Sequence, residues 1–175
     1  MKLLLALLIA TVLMTETNTP VIEPDSTDVF FALDAGKLVP LERSRGNMQT
    51  HAKGYIVYVT KVSTDFPGGK SPVRFHSGSS VDFVVRSANV SVDPGSLYFL
   101  RQLDAKKNKR EIVTTTGHAT PVGAFLKSDI GRGTLPVEYS RYGDNSFMLH
   151  VESLPPGEYA VSRGFGVVAF CFGVD

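Results

Sequence analysis

The last 22 residues, Leu154 to Asp175 (LPPGEYAVSRGFGVVAFCFGVD), place the tightest limit on what this chain can fold into. A proline-glycine corner leads into a short strand, a glycine-rich turn at Gly164 to Gly166, and a final run that stays apolar almost to its end. Side chains alternate along a strand. Val168, Phe170, Phe172 and Val174 therefore point one way, and Val167, Ala169, Cys171 and Gly173 the other. The first set is bulky and the second small, but neither is polar. This predicts a strand covered on both faces, not a wet edge. Such a fold closes only when its last strand is in place.

The rest of the chain has the punctuation of a β protein. Sixteen Gly, ten Pro and no Trp among 175 residues indicate many turns and short strands. Asp28 to Leu33 reads as a first strand, Ala35-Gly36 as a turn, and Leu38 to Leu41 as a short edge strand carrying Pro40. Residues 42–53 look irregular, and Gly54 to Val62 (GYIVYVTKV) is the strongest strand of the first half. FPGGKSP at 66–72 is a loop, Val81 to Arg86 a strand, and Asp93-Pro94-Gly95 a turn. Leu97 to Leu103 and Arg110 to Thr115 form a hairpin around DAKKNK. Val137 to Tyr142 and Ser146 to Glu152 form another, with Phe147, Leu149 and Val151 inward and His150 outward. Residues 116–134 are Gly-rich and carry no clear period.

The amino terminus reads as a targeting segment. Lys2 precedes an apolar run of twelve, Leu3 to Met14, and polar residues follow. That is too short to span a bilayer and right for a signal-peptide core. The expected organisation is a signal peptide at 1–17, a linker at 18–27 with little to bury, and a single β-sandwich domain at 28–175. The mature protein is then secreted or periplasmic, with no membrane span left. A formal net charge of +1 argues against a nucleic-acid binder. The single cysteine, Cys171, allows no internal disulfide and reads as a buried, inert thiol.

Signs of chemistry are sparse. Gly69-Lys70-Ser71 copies the end of a phosphate-binding loop, but Thr64 stands where its first glycine is needed. Gly164 to Ala169 matches G-x-G-x-x-A, yet only six residues remain for the further strand and acid that a dinucleotide site requires. His51, His76, His118 and His150 lie 25, 42 and 32 positions apart, with no ligand-spaced partner. His76 is followed by Ser77, Ser79 and Ser80 without a nucleophile elbow. Lys106, Lys107, Lys109 and Arg110 form a basic cluster that reads as a solvated hairpin tip, dispensable for folding or facing an anionic partner. Asn89-Val90-Ser91 is a glycosylation sequon that matters only in a eukaryotic source. No residue is assigned as catalytic, cofactor-binding or metal-binding, and no cofactor is expected.

Phe147, Leu149, Val151, Leu154, Pro156-Gly157, Tyr159 and Val161 together resemble the corner between the fifth and sixth strands of immunoglobulin-like and fibronectin type III-like sandwiches. In those folds a tyrosine after such a turn bonds back to nearby backbone. The tail, L-x-PGEYA followed by FxFGVD, is similar to the closing motif of uncharacterised exported bacterial proteins, over about 22 of 175 residues. The resemblance implies an all-β, immunoglobulin-like sandwich with an added N-terminal hairpin; a β-barrel or a transthyretin-like sandwich is the alternative. The function expected is an exported binding or structural module, contacting a protein or an anionic polysaccharide through the loop ends of the sandwich. The rival is a small hydrolase or transferase built from His76 and His118 with nearby acids or hydroxyls.

Overall fold

The computed structural model describes residues 21–54, 57–128, 133–164 and 166–175. The signal-peptide reading of 1–17 and the start of the linker fall outside the described residues. Along the chain come β1 (Phe30–Asp34), β2 (Lys37–Pro40), β3 (Glu42–Arg45), β4 (Asn47–Lys53), β5 (Tyr58–Pro67), β6 (Arg74–Phe75) and β7 (Val81–Arg86). A helical turn, α1 (Pro94–Leu97), precedes β8 (Tyr98–Ala105), β9 (Lys109–Thr120), β10 (Gly123–Ser128) and β11 (Thr134–Leu135). The chain continues through β12 (Glu138–Tyr142), β13 (Ser146–Val151), β14 (Gly157–Arg163) and β15 (Val168–Val174).

The protein is all-β and sandwich-like. A smaller antiparallel sheet runs β12-β13-β7-β1-β2, and a larger one runs β3-β15-β14-β8-β9-β5-β4, with β10 beside β9, β11 beside β8 and β6 beside β15. The core between them takes Phe30, Phe83, Val85 and Leu149 from the smaller sheet and Tyr98, Tyr159, Val161, Phe170 and Phe172 from the larger. Burying that apolar surface is the main drive to fold, at about 25 cal/mol per Å².

The final strand behaves as its alternation requires. Phe170, Phe172 and Val174 enter the core between the sheets, while Ala169 and Cys171 join Phe66, Leu103, Ile112 and Ala160 in a second cluster. β15 is paired on both sides, with β14 along one edge and with β3 and then β6 along the other; the β6 pairing is parallel. Tyr159 is fully buried, and its hydroxyl donates to the Pro155 carbonyl at 2.7 Å. This is the backbone-pinned corner that the local sequence predicts. Asp93 caps α1 by accepting from the Gly95 amide, so the expected turn extends into one helical turn.

Three stretches depart from expectation. Residues 42–53 are not irregular but form β3 and β4. The run 54–62 is not one strand: β5 begins at Tyr58, and Gly54 sits at φ 130°, where a Cβ would collide with the Val57 carbonyl. Within 116–134, β9 runs on to Thr120 and pairs with β10. The segment before β1 is also held down. The Glu23 carboxylate accepts from the Asp144 and Asn145 amides (2.8 and 3.0 Å) and the Ser146 hydroxyl (2.6 Å), and the Pro24 carbonyl accepts from Arg86 at 3.2 Å.

Candidate binding surface

The basic cluster divides into two parts with different roles. Arg110 does not belong to a solvated tip: it is fully buried, and its guanidinium grips both Glu42 oxygens at 2.7 and 2.8 Å and the Pro67 and Gly68 carbonyls. Glu158 lies 3.7 Å away, pairs with Arg74 and accepts from the Ser71 amide at 2.8 Å. Arg74 reaches on to Asp175 at 2.9 Å. Buried charges need such partners, since leaving one alone costs several kcal/mol. This network ties β3, β9 and β14 to the loop after β5 and to the last residue.

Lys106 and Lys109 remain at the hairpin tip but are not idle. With Lys61 they surround Glu111, which is only 3% exposed, at 2.7, 3.2 and 2.5 Å, and Lys109 also meets Asp65 at 2.6 Å. Burial pushes the Glu111 carboxyl up, but the three ammonium groups outweigh it and hold the carboxyl down at about 2. Removing these lysines therefore strips partners from a buried carboxylate, contrary to the dispensable tip expected from sequence. Lys107 alone of the run stays exposed and away from these pairs.

Past this cluster, β4, β5, β9 and β10 continue as a four-stranded ribbon whose registers align in rows. From the tip inward the rows are Tyr58, Ala119 and Ala124; then Lys53, Val59, His118 and Phe125; then Ala52, Thr60, Gly117 and Leu126; then His51, Lys61, Thr116 and Lys127. Every residue of β4 and β10 is exposed. Val122, in the turn before β10, is 96% exposed, Leu126 80% and Phe125 73%; Val57, Tyr58 and Val59 also face solvent. A concavity of about 330 Å³ on one face is lined by His51, Lys53, Val59, Lys61, Lys106, Lys109 and Glu111. No described residue of 47–54, 57–62 or 114–128 is acidic.

The remaining sequence candidates have local roles. Gly69 packs so closely under the 106–107 backbone that a Cβ would meet both carbonyls, and the Ser71 hydroxyl donates to the Cys171 carbonyl. The phosphate-loop look-alike is thus a structural tie. Gly164 sits at φ 60° in the turn between β14 and β15. Asn89 is exposed, and its side chain accepts from the Ser91 amide in a local turn. His76 lines a cleft of about 380 Å³ with Asp34, Arg74, Ser79 and Ser80, whereas His118 stands on the ribbon between Val59 and Phe125. His150 points outward and meets Asp82 at 2.6 Å, which raises the imidazole pKa. Among the described residues no His, Cys, Asp and Glu group could hold a metal ion, and no helix is long and apolar enough to cross a membrane.

Sequence reasoning missed Val122, Phe125 and Leu126. A signal was present: residues 43–64 and 112–128 are two acid-free windows, and they pair with each other in space. Compared with known proteins, the chain matches no family model, no curated protein and no solved structure at a significant level.

Proposed function

We propose that this is an exported binding module that engages its partner through the β4-β5-β9-β10 ribbon, not through the loop ends of the sandwich. The observation that carries this reading is the exposure of Phe125 and Leu126 on β10, a strand that buries nothing of the core, and of Val122 in the turn before it. Contiguous exposed apolar surface rimmed by polar residues marks an interaction site in soluble proteins. The leader at 1–17 supports a place outside the cytoplasm, secreted or periplasmic.

The test is attachment to cell-envelope fractions of the exporting organism. Replacing Val122, Phe125 and Leu126 together by Ser is expected to release the protein into the soluble fraction with its melting temperature nearly unmoved, since exposed substitutions usually shift stability by less than about 0.5 kcal/mol. Equal attachment of variant and wild type defeats the reading.

A further inference from the structure

We infer that the partner of the ribbon is the surface of a lipid bilayer bearing anionic headgroups, entered tip first to interfacial depth. The inference rests on the ribbon being the docking surface. Its ground is the order of the rows. The two turns and the outer three rows carry Val57, Val122, Tyr58, Val59, Phe125 and Leu126, and the fourth row carries His51 and Lys127 beside Lys61, whose ammonium is held by Glu111. At about 3.4 Å per residue the fourth row lies about 10 Å behind the Tyr58 row. That separation equals the depth to which interfacial elements bury their apolar face, about 5–10 Å, with lysines at the headgroups. Lys53, in the second row, has a stem long enough to carry its ammonium back toward the phosphates.

The same geometry limits penetration. Among the described residues no strand pairs with the outer edges of β4 and β10, and hydrocarbon does not tolerate open strand edges. The ribbon therefore rests in the interface and does not span. Charge decides against a second copy as the occupant, because two acid-free ribbons would bring their lysines together. An anionic polysaccharide would match the lysines but leave the aliphatic tips at Val122 and Leu126 in water.

The chain contains no Trp, so a single introduced indole reports its own surroundings. Processed protein recovered from an exporting host is mixed with vesicles of phosphatidylcholine alone or with about a third phosphatidylglycerol. The wild type is expected to sediment with the anionic vesicles at least tenfold more tightly than with the neutral ones, and less so at high salt. The triple serine variant is expected to lose at least tenfold. In Val122→Trp the emission shifts to the blue and is quenched by brominated lipid. In Met48→Trp, whose exposed position lies five rows behind Lys53, it does neither. Absence of vesicle binding, equal response at the two positions, or full binding by the triple variant overturns the inference. If vesicles fail while envelope attachment still depends on the three apolar residues, the lipid inference falls and the ribbon reading stands; if that dependence fails too, both fall.

Discussion

Tyr159 is the residue on which sequence and structure agree most closely, because everything that fixes it is local. The Pro156-Gly157 turn, the phase with Val161 and the hydroxyl partner at Pro155 lie within seven residues. Its ring also stacks on Phe172 at 5.5 Å. Tyr159→Phe is expected to cost about 1 kcal/mol, and Tyr159→Ala about 3–5 kcal/mol through lost burial and a cavity; denaturant midpoints of the two variants check both. Arg110 was misread from sequence for the opposite reason, since its partner Glu42 lies 68 positions away. Glu111 shares that distance only with Lys61, 50 positions off; Lys106 and Lys109 sit on its own hairpin, and what the sequence does not show is that the carboxylate is buried. A carboxyl held at about 2 in the fold against 4.5 when free adds stability that is complete above pH 4.5 and drains away as pH falls toward 2. Its lysines are partly solvated, so the contribution is about 1 kcal/mol. Glu111→Gln is expected to flatten the fall in unfolding free energy between those pH values, and an unchanged acid limb would refute the pairing.

Strands were legible where they bury a face and illegible where they do not. β1 and β13 alternate between core and outside, β7 carries a bulky buried run, and β15 alternates between the two buried clusters, and their sequences show it. β4 and β10 have no buried face to write a period into the sequence, so only their backbone pairing makes them strands. Deleting residues 169–175 removes Phe170, Phe172 and Val174 from the core and strips partners from β14, β3 and β6. At about 1.5–3 kcal/mol per buried side chain, that approaches the whole stability of a typical domain, about 5–15 kcal/mol. The product is expected to be insoluble or degraded. Deleting residues 18–24 looks harmless from sequence, but it takes away the Glu23 clamp on the turn between β12 and β13. A soluble protein destabilised by about 1 kcal/mol per lost charged contact is expected, and soluble yield with thermal unfolding of the two truncations separates the cases.

The whole molecule joins a sandwich with two buried clusters to a ribbon that buries almost nothing. Local opening free energies follow contact density. Amides of 48–53 and 116–126 are therefore expected to exchange with solvent faster than those of β14 and β15, which a single hydrogen-exchange series would reveal. The fold class was readable because the sandwich is written in alternation, and the ribbon was not, because its meaning lies in what it leaves uncovered. Cys171 turns this division into a clock. It is the one sulfhydryl in the chain, enclosed in the second cluster, and burial pushes its pKa up to about 12. An alkylating reagent needs the thiolate, so in the folded protein it finds nothing to attack, however freely the ribbon breathes. The rate of modification should then track the opening of the sandwich itself, rising with denaturant in step with global unfolding and indifferent to substitutions at Val122 or Phe125. One unreactive sulfur would thus time, without any added probe, how often the protein comes apart.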